Sequence, residues 1–457
     1  MNITKKSLLM LAMAAALVCS CSDDNDQPEP TPDPQPETSV DQEITDTEMR
    51  MWGTLKAGTV LNLDRHLVVP AGKSLTIEEG VQIIVSTAGV GVNHTPVEFT
   101  VEGNLYALGS AAKPILFSVD PALRTDANAV KGLWGGIVCT EACAEMVLDN
   151  VIVEYTGAEV IEGSPAATAG IYTAGDDAYP QVTTNNIHGK YVITNSTIRY
   201  GASDGLYFMG GNAIVTNNIF AANGATGGEA VNIKAGVKAD VAGNIMFSPN
   251  TNGLKLSSSG QSETRSQAQV NAYNNTIINA GWRRDGEKGG SIYAEKNVLV
   301  NVVNNLMVNC KFRAMTPKYS DPNKTDGGYD DKSVIDYNFY AGGSQSVEIA
   351  GEASVGNPLD GYNNKNKNYN PAVDTHSIIA SVDNPVDPGF VNFNINQVSL
   401  TQCIYNSAWN FNLKSNAAAL SGANGSLTPY FAAGLLVGTT TYTSPAVKPY
   451  FGARGAK

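Results

Sequence analysis

The chain is poor in the residues that most often carry chemistry: its 457 residues hold four histidines, six cysteines and four tryptophans. The histidines, His66, His94, His188 and His376, are scattered, and none accompanies a serine or cysteine nucleophile motif. No CxxC pair, Cys/His zinc spacing, Walker loop or dinucleotide fingerprint occurs. Basic residues are scarce as well. Thirty lysines and arginines face 43 acids, a formal charge of −13, which argues against nucleic acid and anionic lipid as partners. The apolar run from Leu8 to Val18 falls short of the roughly 20 residues that a spanning helix needs.

What the chain has is repetition. Ile193-Thr194-Asn195-Ser196-Thr197-Ile198 returns as Val215-Thr216-Asn217-Asn218-Ile219-Phe220, Val241-Ala242-Gly243-Asn244-Ile245-Met246, Ala272-Tyr273-Asn274-Asn275-Thr276-Ile277 and Val302-Val303-Asn304-Asn305-Leu306-Met307. An earlier copy surrounds Asn150 and a later one Asn338, so the aligned positions are Asn150, Ser196, Asn218, Asn244, Asn275, Asn305 and Asn338. Short strands recurring every 20–35 residues or so, with variable insertions, indicate a β-solenoid whose coils stack in parallel. A β-sandwich is the alternative, but its strands would not repeat one phrase in one register. Asparagine suits a bend, because it tolerates the left-handed conformation and its amides can bond along a stack. The spacing therefore predicts an internal Asn ladder. A second strand per coil is expected at Gly205-Leu206-Tyr207-Phe208, Ala230-Val231-Asn232-Ile233, Gly253-Leu254-Lys255-Leu256 and Ser291-Ile292-Tyr293.

At the N-terminus, Lys5 and Lys6 precede the apolar run and Val18-Cys19-Ser20-Cys21 ends it, the layout of a signal peptide over residues 1–20. That ending resembles the bacterial lipobox, which implies a lipid on Cys21. Ser22-Asp23-Asp24-Asn25-Asp26 resembles the acidic signal that sends lipoproteins of the Bacteroidota to the outer face of the outer membrane. Alternating prolines from Pro28 to Pro36, with ten acids and no base in residues 22–49, predict an extended, disordered tether over 21–49. The mature chain then carries 28 bases against 43 acids, a charge of −15. That disfavours bulk attraction to polyuronates, although a local basic groove could override it. Cys139, Cys143, Cys310 and Cys403 allow disulfides in an exported protein, and Cys139 could close on Cys143 across a turn.

Val69-Pro70-Ala71-Gly72-Lys73-Ser74-Leu75-Thr76-Ile77 and Val101-Glu102-Gly103-Asn104-Leu105 look like the opening phrases of pectate-lyase-like proteins. The order of phrases is similar to that in surface β-helix lipoproteins of the Bacteroidota. This resemblance implies a right-handed parallel β-helix over 50–425, with Asp387 to Val391 and Trp409 to Ser415 in its final coil. Residues 426–457 are expected to cap the open end.

The resemblance also invites an extracellular polysaccharide lyase or glycoside hydrolase. Gly175-Asp176-Asp177 is the one echo of the hydrolase motifs and lacks their companions, so a solvated loop is the simpler reading. A lyase needs a base beside a Ca²⁺ site. Trp282, Arg283 and Arg284, with Tyr293 soon after, are the glycan-contact candidates, since arginines pair with carboxylates and aromatic rings stack on sugar faces. The same arginines could simply offset nearby acids. Asp321, Asn323, Thr325 and Asp326 hint at Ca²⁺ but depart from the EF-hand pattern. No catalytic residue and no cofactor is assigned. The expectation is a surface lipoprotein, anchored to the outer membrane only through its lipid, that binds extracellular glycan or serves adhesion without turnover. A clustered set of three or more carboxylates, with a lysine or arginine, on one flank of consecutive coils would favour the enzyme instead.

Overall fold

The computed structural model describes residues 39–225, 227–284, 290–311, 328–343, 374–380 and 385–457. The expected signal peptide, Cys21 and most of the expected tether lie outside these residues, as do the proposed Ca²⁺ positions 321–326. Strands stack into a sheet of 19 and a sheet of 11. The larger sheet is two ladders that share the long strand Glu48–Leu55, which pairs with His66–Val69 at one end and Ser74–Ile77 at the other. The molecule is thus a parallel β-helix with three faces. One coil shows all three: Val182–Thr184 on face one, Lys190–Thr194 on face two and Thr197–Arg199 on face three. Alternation explains the arrangement on face one, where Leu206, Phe208, Val231, Ile233, Leu254 and Leu256 are fully buried, while of the residues between them Tyr207 and Lys255 are partly exposed and Asn232 is covered.

The Asn ladder is present at the corner between faces two and three. Asn218, Asn244, Asn275, Asn305 and Asn338 are wholly buried. Each amide donates to the side-chain oxygen of the next, at 3.0, 2.9, 3.0 and 3.0 Å along the stack. Serines end the row: Ser196 Oγ accepts from Val151 N at 3.0 Å, and Ser377 Oγ from Asn338 N at 2.9 Å. Asn150 is one residue out of this register, because Ile152 pairs with Thr197. It belongs with Asn195, Asn217, Gly243, Asn274, Asn304 and Tyr337, all at φ between 50° and 68°. The corner therefore uses two adjacent positions, one for the left-handed bend and one for the interior bond.

Three boundaries differ from the sequence expectation. Ser39–Ile44, inside the stretch read as tether, pairs antiparallel with Glu48–Leu55 and covers the first edge of the larger sheet. Phe390–Asn392 and Asn410–Leu413 do not form a final coil. They pair antiparallel with each other and pack Phe390, Phe393 and Phe411 onto face three. Residues 426–457 run along the solenoid rather than across its end: Phe431, Leu435 and Val437 cover Val147, Val192 and Ile214 of face two. Asp240 pins this strap, accepting from Tyr430 N, Phe431 N and Ser444 Oγ at 3.1, 2.9 and 2.7 Å. The four mature-body cysteines are free thiols, and Cys139, Cys143 and Cys310 are buried.

Candidate functional site

Over the coils from Leu206 to Glu295 the C-terminal residues pack on faces two and three, and in this band of face one Tyr207, Lys255 and Tyr293 are partly exposed. The parallel register sets one outward row across it: Thr183, Tyr207, Asn232, Lys255 and Tyr293, on five consecutive coils. Parallel strands lie about 4.8 Å apart, so Tyr207 and Tyr293, three strands apart, stand about 14 Å from each other. Each ring is partly exposed.

Two carboxyls form the floor. Asp204 and Glu229 sit just before the face-one strands of adjacent coils and are 6% and 8% exposed. Asp204 accepts from Glu229 N at 2.7 Å and from Asn232 Nδ2 at 2.9 Å. Asn252 Nδ2 reaches Glu229 Oε1 at 3.3 Å. Burial drives Asp204 well above the ordinary carboxylate range, and the Glu229 carboxyl beside it adds to the effect. Burial presses Glu229 upward too, but the bond from Asp204 and the charge of Lys255 outweigh it and lower its pKa. The two neighbouring carboxyls are thus pushed in opposite directions, Asp204 up and Glu229 down.

Two lysines stand over this floor. Lys234 Nζ lies 5.4 Å from the centre of the Tyr207 ring, and its pKa is lowered by burial and then by Lys255. Lys255 Nζ is 3.9 Å from Glu295 Oε1. Burial, with Glu295, pushes the Tyr293 hydroxyl up to about 12. The irregular segment before the band supplies a wall: Tyr172 meets the Tyr207 ring edge-on at 6.4 Å and bonds Thr183 Oγ1 through its hydroxyl at 2.6 Å. Asp177, one of the pair noted in the sequence, is within electrostatic reach of Tyr207. Its own Oδ2 accepts from Thr173 N at 2.8 Å, and Asp176 is exposed.

Of the glycan-contact candidates read from the sequence, Tyr293 lies in this band. Trp282 and Arg283 do other work. Trp282 Nε1 donates to Asn309 O at 2.6 Å. Arg283 is half-buried and donates to the carbonyls of Asn223, Gly224 and Ser248 at 3.0, 2.8 and 2.9 Å. It braces the corner after face three across successive coils, and burial lowers its pKa. Arg284 is half-buried. Asp204, Glu229, Lys234 and Tyr207 were missed because they fall at irregular spacings in the sequence. The signal was the outward residue of each face-one strand, Tyr207, Asn232, Lys255 and Tyr293, read as a row.

Among the described residues no group of three or more His, Cys, Asp or Glu could hold a metal ion. Asp330, at the edge of the acidic loop, accepts from Gln267 Nε2 at 2.9 Å. No helix of the described residues is long and apolar enough to cross a membrane. No family model, no curated protein and no solved structure matches this chain.

Proposed function

We propose that this protein is a lipid-anchored β-helix that binds an extracellular glycan along face one. The observation that carries the reading is the face-one band, where two partly exposed tyrosines about 14 Å apart flank Lys234 and Lys255 above the buried Asn232. Tyrosine offers a sugar its ring face, and the lysines offer its oxygens directed hydrogen bonds. An open flank buries little area, so affinity is roughly micromolar or weaker. Calorimetry with an oligosaccharide panel tests this: Tyr207→Ala and Tyr293→Ala each weaken binding about tenfold, a loss of about 1.4 kcal/mol. Unchanged binding in both variants moves the site elsewhere.

The carboxyl cluster with its lysines supports a second reading, a polysaccharide lyase or hydrolase. Two-carboxylate hydrolysis uses groups roughly 5–10 Å apart flanking the bond. Asp204 and Glu229 instead lie side by side in a buried floor, with both Asp204 oxygens taken up by Glu229 N and Asn232 Nδ2 at 2.7 and 2.9 Å, which favours binding without turnover. Release of reducing ends or of unsaturated product that disappears in Glu229→Gln would replace the binding reading with the enzymatic one. The anchor is tested separately: a palmitate analogue labels the wild type and not Cys21→Ala, and protease added to intact cells releases the body.

A further inference from the structure

The ionic groups of the band can be counted, and the count bears on which glycan it takes. Among the described residues the band presents Lys234, Lys255, Glu229 and Glu295, with the buried Asp204 carboxyl beneath them. Lys255 is engaged from two sides, by Glu295 at 3.9 Å and by the field of Glu229. Lys234 lies within the field of Asp204, Glu229 and Glu295 as well as over Tyr207. The two ammonium groups are thus matched by two carboxylates, and Asp177 adds a further acid at the rim. Under the row, the side-chain oxygens of Asn232 and Asn252 are buried without a hydrogen-bond donor. Their carbonyl dipoles make the floor more negative still.

We propose that the band selects a neutral, hydroxyl-rich glycan and rejects uronate-bearing or sulfated ones. A carboxylate or sulfate brings acceptors only. It would have to draw Lys255 from Glu295 and sit above Glu229, a like charge over a poorly solvated floor. A neutral sugar leaves those pairs intact. Its hydroxyls accept from Lys234 and Lys255 and donate to the rim carboxylates, while its C–H faces lie on Tyr207 and Tyr293.

This inference rests on the glycan-binding reading, and one experiment separates their failures. The full chain is titrated with neutral gluco- and manno-oligosaccharides, oligogalacturonate and a heparin oligosaccharide, at about 20 mM and about 500 mM salt. Neutral ligands are expected to bind with an affinity that changes less than about twofold with salt, since no ion pair forms with the ligand. The acidic ligands are expected to bind at least about tenfold more weakly. Glu295→Gln frees Lys255, so this variant gains acidic-ligand binding by several-fold at low salt and loses the gain at high salt. Preferential, salt-sensitive binding of an acidic glycan by the wild type overturns the neutral selectivity and leaves the glycan reading standing. Failure of every glycan to bind overturns both.

Discussion

Replacing Asn244 with leucine tests the ladder where its bonds are fully defined. Asn244 Oδ1 accepts from Asn218 N and from Asn218 Nδ2, each at 3.0 Å, and its Nδ2 donates to Val215 O and Asn275 Oδ1, each at 2.9 Å. Asn218 Nδ2 keeps its bond to Ile193 O and Asn275 Oδ1 keeps the Asn244 backbone N–H, so these groups are only weakened. Asn218 N–H and Val215 C=O are left buried without these partners, at about 1–3 kcal/mol each. Leucine's apolar surface returns about 1–2 kcal/mol. The net is a loss of about 1–4 kcal/mol. Stacked coils open locally, so hydrogen exchange read coil by coil is the better assay, with thermal unfolding alongside. Protection is expected to fall most at Asn218 and in the two flanking coils. The neighbouring Asn217, at φ 60°, is the control: Gly243 already fills the equivalent bend, so Asn217→Gly costs less than about 1 kcal/mol. Asn217→Val, forced into the left-handed region, costs about 1–2 kcal/mol. A loss below about 0.5 kcal/mol for Asn244→Leu, or equal losses for Asn244→Leu and Asn217→Gly, would refute the division of labour.

Deleting residues 426–457 uncovers Val147, Val192 and Ile214 and strips the strap's donors from Asp240. The truncated chain is expected to bind a hydrophobic dye, to aggregate and to unfold at lower denaturant, and a monomer of unchanged midpoint would show the strap to be dispensable. His66 is buried, and burial lowers its pKa to about 4. Between the unfolded value near 6.5 and about 4 the unfolded chain binds a proton that the native one refuses, so stability falls as pH drops through that window, by up to about 3 kcal/mol. His66→Gln should flatten that part of the stability–pH curve, and an unchanged slope would assign the loss to other groups. Among the body thiols, Cys403 should alkylate first in the native protein, with Cys139, Cys143 and Cys310 protected until denaturation. Mass mapping after iodoacetamide reads the order directly.

Sequence alone determined the solenoid and its ladder, because stacking in parallel, in-register coils makes each coil repeat the same requirement at the same place. Asn218, Asn244, Asn275, Asn305 and Asn338 are legible for that reason. Register at the ends was less secure. Asn150 matched the phrase by eye, yet only strand pairing shows it at the bend rather than in the ladder. The corner after face three was invisible, since Tyr155, Tyr200, Ala222, Ser248, Asn279 and Asn309 all adopt φ between 51° and 63° there with no shared chemistry. A hint of the strap was present in the near-continuous apolar runs Tyr191-Val192-Ile193 and Ala213-Ile214-Val215, which suit strands buried on both sides. Which segment covers them was not, because the contacts span 190 to 293 residues, from Asp240 to Tyr430 and from Glu145 to Gly438, and leave no periodic trace. Covering two faces of the coils from Leu206 to Glu295 leaves the third partly exposed at Tyr207, Lys255 and Tyr293. The tertiary structure therefore decided the site: it set Asp204 against Glu229 and Lys234 over Tyr207, pairs from neighbouring coils whose chemistry depends on burial and distance rather than on local pattern.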